Sequence, residues 1–576
     1  MTVLETSGPP PARTVPASPP VGEVPIQYGL AGLTVILVAA PLAPILLQGF
    51  SDKPLYDEGS LTFANFGKMA SYPGFWQMAL NTVLFGILAT AIAQVVGTLA
   101  AILIGRTDLP LRRLLGEVFL WPLYVSSLIL AFAWATIYGP SGYATQMVTL
   151  ATGGQPWDLY TIWGMSLVAG ISLAPVSFIY GQAAAATTDP TFEEAARIAG
   201  AGRLRTLFLV TLPLMKPALF FSSILIFTAS LEILSIPLVF GTPSGVKVFS
   251  TFLYERIGNA AIPDYGVAAT AALVLICVIV GLIALQNRVL GSTRKYVTIG
   301  GKSVRPRPFA LGAFRWPVFI LVAGYVLLAV GLPLGVLVLR GFVTFLHPMA
   351  PLADVLTLQN FRVLAEFPSY ARSIWNSLFI AGVGGALATV FITCIAIVVH
   401  RSEFRFARPL LYIALMPRAI PGLIAGIGFF YAVAMIPGLA PLRSTVWILM
   451  IAFTMAAIPV GYGAIAPMLL KIGPELDQAA RVQGASWWRA VTRVILPLLR
   501  PAIVACFALL FINFFKEYST AVFLYAPGSE VIGTTLLQFW TQGHLGYVAA
   551  LSTVQITLIA CCVALARTAF GVKIYG

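Results

Sequence analysis

Charged residues are scarce in this chain, since Asp, Glu, Lys and Arg make up only 10% of its 576 residues. A soluble globular protein carries roughly 25%. Hydrophobic residues make up 59%, and the mean hydropathy is +0.90. A chain of this composition cannot cover its core with polar residues, so its natural solvent is lipid. The composition therefore excludes a soluble enzyme, a disordered scaffold and a secreted disulfide domain.

Side chains that carry covalent or metal chemistry are also few. The cysteines all lie in apolar runs without metal-ligand spacing, as small buried residues do; they are Cys277, Cys394, Cys506, Cys561 and Cys562. The histidines form neither a metal cluster nor a nucleophile–His–acid set; they are His347, His400 and His544. No glycine-rich loop ends in Gly-Lys-Ser/Thr, the pattern that cradles ATP phosphates. We therefore expect no catalytic residue, no metal site and no cofactor bound by this chain.

What the chain does contain is a series of apolar segments, each long enough to cross a bilayer as a helix. The sequence predicts an all-α membrane protein with twelve transmembrane helices, at residues 28–50, 76–105, 114–138, 161–185, 218–240, 265–287, 316–339, 373–399, 410–435, 445–470, 502–525 and 547–570. Seven prolines and no apolar run occupy the first 25 residues. Residues 1–27 are therefore predicted to form a disordered tail.

The basic residues predict the orientation of these helices. If the tail is cytoplasmic, the inner segments contain 25 Lys and Arg residues and the outer segments contain 8. This bias places both termini in the cytoplasm. The central linker, residues 288–315, carries seven basic residues and no acidic one. We interpret it as a cytoplasmic linker that fixes the topology and not as a nucleic-acid site.

The two halves of the chain repeat each other. Three residues recur 295 positions later: Asn81, Arg106 and Pro122 as Asn376, Arg401 and Pro417. Six more recur 284 positions later: Pro175, Pro190, Gly200, Pro213, Pro217 and Pro243 as Pro459, Pro474, Gly484, Pro497, Pro501 and Pro527. The offset changes in the external connection after the third span, where a surface loop tolerates a change of length. The sequence thus predicts two parallel six-helix domains, residues 28–287 and 316–576.

The repeat is clearest in the cytoplasmic loop between spans four and five of each half. The first copy contains Glu193-Glu194-Ala195-Ala196, then Gly200 and Pro213. The second contains Asp477-Gln478-Ala479-Ala480, then Gly484 and Pro497. Proline and acidic residues favour a helix N-terminus, and the glycine favours a left-handed turn at the helix end. The pattern predicts a helix–Gly–helix motif below the membrane, accessible to a soluble partner.

This loop resembles the "EAA" signature of permease subunits of binding-protein-dependent ABC importers. The resemblance covers nearly the whole chain and implies the ABC permease fold, a multi-pass protein of the bacterial inner membrane. It also implies two separate ATP-binding subunits, which hydrolyse ATP, and a periplasmic solute-binding protein. Its coupling residues would be Glu193, Glu194, Ala195, Ala196, Gly200, Pro213, Asp477, Gln478, Ala479, Ala480, Gly484 and Pro497. Gln478 departs from the family's Glu, and this departure would make coupling asymmetric.

The fused two-domain form resembles the iron(III), thiamine and aminoalkylphosphonate branch of that family. Iron(III) is the first expectation for the substrate, with thiamine, an aminoalkylphosphonate or another small solute as alternatives. A rival from a different class is an ion-coupled secondary transporter with parallel repeats. It explains the topology equally well but gives no reason for a duplicated inner loop. A membrane-embedded enzyme would need a polar catalytic cluster that the sequence lacks.

Four ionisable residues fall within or at the edge of the predicted spans: Glu232, Arg418, Lys516 and Glu517. Each costs roughly 2.5–3.5 kcal/mol to insert at the centre of a lipid-facing helix, so such residues face the bundle interior or pair with one another. One hypothesis is that they line the translocation path. The alternative is an internal ion pair, such as Lys516 with Glu232, that holds the halves together.

Overall fold

A computed structural model describes residues 23–55, 57, 59–187, 190–258, 264–291 and 310–570. Most of the predicted tail and residues 292–309 of the predicted linker lie outside this part of the chain. Residues 23–27, which the sequence assigns to the tail, begin the first helix. The described residues form helices joined by turns, together with two isolated bridges, Ser51–Leu61 and Val343–Leu356. The predicted all-α class is confirmed.

Twelve helices belong to the first half: α1 Glu23–Gly49, α2 Ala64–Ala70, α3 Phe75–Arg106, α4 Arg112–Tyr124, α5 Ser127–Tyr138, α6 Tyr143–Thr152, α7 Ile162–Thr187, α8 Pro190–Ile198, α9 Arg203–Thr206, α10 Leu212–Glu232, α11 Phe249–Gly258 and α12 Tyr265–Gly291. Fourteen belong to the second half: α13 Arg315–Val326, α14 Leu332–Gly341, α15 Leu352–Val355, α16 Gln359–Glu366, α17 Pro368–Phe379, α18 Gly385–Arg401, α19 Ala407–Leu415, α20 Gly422–Met435, α21 Val446–Lys471, α22 Glu475–Val482, α23 Trp487–Ala490, α24 Leu496–Lys516, α25 Ile532–Thr541 and α26 Leu545–Phe570. Single π-helical turns join α9 to α10, α13 to α14, α17 to α18 and α23 to α24.

Ten helical stretches in the described residues are long and apolar enough to cross a membrane, and two bent pairs raise the total to twelve. The bent pairs are the third span of each half, α4 with the helices after it and α19 with α20, and each bends by 109°. The sequence predicts one helix for each of these spans, and that detail is wrong. The breaks lie at Ser126, which caps α5 through its side chain, and at Pro421, which precedes α20. Both residues favour a new helix start, and proline cannot continue the preceding helix.

In the second half, the broken span α19–α20 still crosses the bundle and does not return to the face on which it begins. Phe406, just before α19, packs edge-on against Tyr28 near the start of α1. Tyr431 in α20 donates a hydrogen bond to the carbonyl oxygen of Tyr265 at the start of α12. The start of α12 lies beside the end of α1, because Thr270 donates to the carbonyl of Gly49 at 3.2 Å. The pair α19–α20 therefore runs from one face of the bundle to the other.

The two halves interlock reciprocally through these broken spans. Helix α1 packs on α20 of the second half, and α14 packs on α5 of the first half. At the first contact, a Cβ on Gly428 would collide with the carbonyl of Pro41. At the second, the Tyr138 hydroxyl donates to the carbonyl of Leu328 at 2.8 Å. The first span of each half thus packs on the other half, and this reciprocity is consistent with parallel repeats.

Candidate functional site

The duplicated loops have the predicted helix–Gly–helix geometry. Helix α8 and helix α22 each end before a glycine, Gly200 and Gly484, and both glycines have φ of +83°. This left-handed conformation costs an L-residue roughly 1–2 kcal/mol, which explains why glycine stands there in both copies. After each glycine, a short helix leads through a π-helical turn into α10 or α24.

The first loop is held to the membrane helices by a buried ion pair. Arg106, the last residue of α3, forms an ion pair with the carboxylate of Glu193. The same guanidinium donates to the carbonyl of Ala185 near the end of α7 at 2.8 Å. Thr211 donates to Glu193 at 2.9 Å, and the Glu193 residue is only 7% exposed. Through Arg106, Glu193 therefore attaches the loop to α3 and α7, and it also binds the π-helical turn before α10.

The second loop repeats this arrangement at the equivalent positions. Arg401 ends α18 and donates to Asp477 at 3.0 Å and to the carbonyl of Leu469 at 2.9 Å. It also donates to the carbonyl of Ile472. Trp487 donates in turn to the carbonyl of Arg401 at 2.7 Å. The sequence places Glu193 and Asp477 among the docking residues, whereas the structure turns both toward the protein.

The outer surface of each loop is formed by the residues that follow. Glu194 and Ala195 are exposed and Ala196 is half-buried; Gln478, Ala479 and Ala480 have the same exposures in that order. Pro213 and Pro497 stand in the first turn of α10 and α24, where proline suits a helix start. The glutamate-to-glutamine departure at 478 therefore lies on accessible surface.

Two matched pairs of exposed apolar residues complete these surfaces, and the sequence pattern alone did not single them out. Phe192 is 46% exposed and its equivalent Leu476 is 48% exposed. Ile198 and its equivalent Val482 are both 88% exposed. The signal that could have found them is an apolar residue at the same two places in both copies of an otherwise polar helix. Matched apolar groups in water indicate an interaction surface.

Both loops lie on the same face of the bundle. The backbone N–H of Leu311 donates to Asp108, two residues after Arg106, at 2.8 Å. The span that begins at Gly312 and the span that ends at Arg401 are consecutive. Since residues 342–367 join them at one face, Leu311 and Arg401 both lie at the other. The first loop is bound at Arg106 and the second at Arg401, so the two loops face the same compartment.

Three of the four intramembrane ionisable residues, Glu232, Lys516 and Glu517, lie where the two halves meet. Glu232 and Lys516 are the last residues of the equivalent helices α10 and α24. Lys516 donates to the carbonyl of Leu123 in the other half at 2.5 Å. Glu517 accepts from the backbone N–H and the hydroxyl of Thr520, at 3.0 and 3.2 Å. Glu232 and Glu517 thus stand at the ends of equivalent helices from opposite halves.

Arg418 stands apart from the other three residues. It is exposed, and its guanidinium lies 5.6 Å from the centre of the Phe221 ring on α10. Among the ion pairs of the described residues, none joins two of these four side chains, and Lys516 with Glu232 is not one of them. The structure thus gives Lys516 a backbone partner across the interface in place of a carboxylate.

The family model described as the inner membrane component of binding-protein-dependent transport systems matches residues 42–294 and 392–570. The chain belongs to this family. It is thus an inner membrane component, and the predicted permease resemblance is confirmed. The two matched regions fall one in each half of the repeat.

Several curated relatives share 25–27% of their residues with the chain. A putative ferric transport system permease protein, FbpB 1 of Haemophilus influenzae, is 26% identical over 72% of this chain and 65% of its own length. FbpB of Actinobacillus pleuropneumoniae, a ferric transport system permease protein, is 25% identical over 77% and 64%. The chain therefore spans somewhat less than two thirds of these two proteins. A probable ABC transporter permease of Sinorhizobium fredii, y4fN, is 27% identical over 83% of this chain and 84% of its own.

Proposed function

We propose that this chain is the permease of an ATP-driven ABC importer and forms the path for a solute delivered by a periplasmic binding protein. The observation that carries the proposal is the pair of matched loops on one face. Each is anchored by an arginine and presents the same apolar and small residues outward. Two equivalent surfaces on one face suit two copies of one ATP-binding subunit. ATP would be hydrolysed on those subunits, so this chain is not itself an enzyme.

The loops and both termini are assigned to the cytoplasm. Of the 33 basic residues outside the predicted spans, 25 lie in segments on the side of the loops and 8 on the other. The positive-inside rule supports this orientation. Tyr28, near the start of α1, packs on Phe404 close to the second loop, so the N-terminal end of α1 lies on the same side.

The anchored loops suggest how movement of the ATP-binding subunits reaches the membrane helices. Arg106 joins the first loop to α3 and α7, and Arg401 joins the second loop to α18 and α21. A subunit that displaces a loop would therefore displace the ends of those spans with it. The interlocked halves would then rock about the contacts of α1 with α20 and of α14 with α5. Glu232, Lys516 and Glu517 lie at this interface and, together with Arg418, would line the path.

Iron(III) is the substrate that we assign to this path. Two relatives are named as ferric transport permeases, and each half places a carboxylate, Glu232 or Glu517, at the end of an equivalent helix. Carboxylate oxygens are the ligands that hard cations prefer. Thiamine and an aminoalkylphosphonate are the alternatives, and an ion-coupled transporter is the rival class.

The docking surface is tested by replacing its apolar residues. Changing both Ile198 and Val482 to Ser removes two exposed apolar side chains, each worth about 1.5–3 kcal/mol when fully buried. We expect co-purification of the ATP-binding subunit from detergent extracts to fall at least tenfold. Leu358→Ser is the control, because Leu358 is 67% exposed in the connection 342–367, on the face opposite both loops. Normal recovery of the subunit with the double variant would overturn the docking assignment.

Substrate and energy source are tested in vesicles that contain the complete transporter and its binding protein. We expect uptake of radioactive iron(III) that requires ATP inside the cytoplasmic compartment and survives an ionophore. Uptake that the ionophore abolishes would favour the ion-coupled class. ATP-dependent uptake of thiamine or an aminoalkylphosphonate, with none of iron, would replace the substrate while leaving the importer mechanism in place.

A further inference from the structure

A groove between the two halves, near the face that carries the loops, has no part in the function proposed above. It encloses a cavity of about 330 Å³ between α4 of the first half and α26 of the second. Its wall is apolar along Leu120, Ile559 and Val563. Its polar end carries Glu117 and Arg567.

The groove opens on the surface that contacts lipid. On the two helices that form it, Leu114 of α4 and Leu565 of α26 are large apolar side chains that are 55% and 64% exposed. In an inner membrane component, exposed apolar surface of this kind faces acyl chains. Trp121 and Tyr124 also line the groove. Their amphipathic rings are typical of the level of the lipid headgroups.

The polar end offers one charge of each sign. Arg567 and Glu117 lie 3.2 Å apart, and their side chains are 38% and 41% exposed. Both therefore keep hydrogen-bonding capacity that a ligand can reach, because the guanidinium has five N–H donors and the carboxylate accepts from several directions. A guanidinium binds phosphate through two parallel hydrogen bonds. A carboxylate beside it accepts from a primary ammonium group.

We propose that this groove binds one phospholipid whose headgroup carries a phosphate and a primary ammonium, as in phosphatidylethanolamine. Arg567 binds the phosphate and Glu117 accepts from the ammonium. The first carbons of an acyl chain pack along Leu120, Ile559 and Val563. An anionic lipid without the ammonium would meet the Glu117 carboxylate unfavourably, and a choline headgroup has no N–H to donate.

The site occurs on one side of the repeat only. The residue equivalent to Glu117, 295 positions later, is Tyr412, which is 74% exposed and carries no charge at neutral pH. A bound lipid would therefore touch α4 and α26 together and bridge the halves at one of their two equivalent seams. The inference does not depend on the identity of the transported solute.

Trp121 provides a direct reporter, because bromine atoms on lipid chains quench tryptophan fluorescence on contact. The full chain is placed in phosphatidylcholine nanodiscs that contain increasing amounts of one brominated lipid. The signal of Trp121 is the difference between wild type and Trp121→Phe. We expect brominated phosphatidylethanolamine to quench it at a mole fraction several-fold lower than brominated phosphatidylcholine or phosphatidylglycerol.

Two variants assign the headgroup contacts. Glu117→Gln should abolish the preference for phosphatidylethanolamine over phosphatidylcholine, and Arg567→Gln should weaken quenching by both. Tyr412→Phe, at the equivalent seam, should leave the quenching unchanged. Equal quenching of wild type by all three lipids, or strongest quenching by phosphatidylglycerol, would overturn the proposal. If the variants misfold, mass spectrometry of the lipids that the wild type retains in detergent tests the proposal instead. We expect selective retention of phosphatidylethanolamine, and its absence would overturn the proposal.

Discussion

Lys516 at the end of α24 donates a hydrogen bond to the carbonyl oxygen of Leu123, which lies in the other half of the repeat, at 2.5 Å. Leu123 belongs to the last turn of α4, where the broken span leaves carbonyls without helical partners. A cation near the C-terminal end of a helix also interacts favourably with its dipole. The break in the span thus creates an acceptor that a cation from the opposite half uses.

Loss of this contact should weaken the association of the halves. In Lys516→Met the carbonyl of Leu123 loses a charged donor in a water-poor setting, at a cost of about 1.5–3 kcal/mol. We expect the thermal unfolding midpoint in detergent to fall by a few degrees.

Arg418→Met is the control for Lys516→Met. Because Arg418 is exposed and contacts only a ring of α10, its replacement should lower the unfolding midpoint by much less. Lys516→Arg should recover most of the stability. A midpoint for Lys516→Met equal to that of wild type would show that the contact does not hold the halves together.

The buried arginines should matter more to the loops than the acids that they bind. Arg106→Gln leaves the buried carboxylate of Glu193 without its cation, and breaking such a pair costs about 3–5 kcal/mol. Glu193→Gln keeps an acceptor for Thr211 and leaves Arg106 on the carbonyl of Ala185, so its effect should be smaller. Limited proteolysis of residues 190–212 in membranes measures the difference. Equal cleavage of both variants would contradict the ranking.

The face opposite the duplicated loops contains a bidentate ion pair that should make stability depend on pH. Arg372 donates through two nitrogens to the two oxygens of Glu530, each at 3.0 Å. Burial alone raises the pKa of Glu530, but hydrogen bonds from Arg372 and from backbone N–H groups lower it below its usual range. A lowered pKa stabilises the fold above the unfolded value, about 4.3, and this gain is lost as pH falls through the folded value.

Arg372→Gln should therefore lower the unfolding midpoint near neutral pH and have no effect in acid. The pair is partly exposed, so we expect a loss of at most about 1 kcal/mol. Melting curves recorded from pH 7 downward should converge once the pH has fallen through the lowered pKa of Glu530. Arg362→Gln is the control, because its pair with Glu366 is mostly exposed and should contribute nothing measurable. A difference between the curves that does not shrink with falling pH would exclude Glu530 as its origin.

The helix–Gly–helix geometry of the loops could be predicted from the sequence, because a glycine that follows a helix is a local pattern typical of a left-handed turn. Gly200 and Gly484 fulfil the predicted turn at the same φ. Contacts between segments that are distant in sequence have no local pattern that predicts them. The pairing of Glu193 with Arg106 joins residues 87 positions apart, so the acid reads as a surface residue until the fold is seen.

The broken third spans could not be read from hydropathy, because both pieces are equally apolar. The prolines that recur at 122 and 417 lie just before each break, and their duplication was the available signal. The structure also explains why Asn81 recurs as Asn376. Their amides donate to the carbonyls of Lys247 and Glu530 and hold the connection that follows span five in each half.

The departure at position 478 yields a test of asymmetric coupling. Glu194 and Gln478 are equivalent, and both are exposed beside the small residues of their loops. If a partner subunit recognises the charge, Glu194→Gln should weaken its association and Gln478→Glu should strengthen it, each by less than about 1 kcal/mol because exposed charge pairs are weak. Binding of the isolated ATP-binding subunit to the permease in nanodiscs, measured at low and high salt, separates the two effects. Because salt screens exposed charges, the part of the change in affinity that comes from the charge should disappear at high salt. Identical affinities for both variants at low salt would mean that the loops couple through their apolar residues alone, and that the substitution at 478 leaves the two sites equivalent.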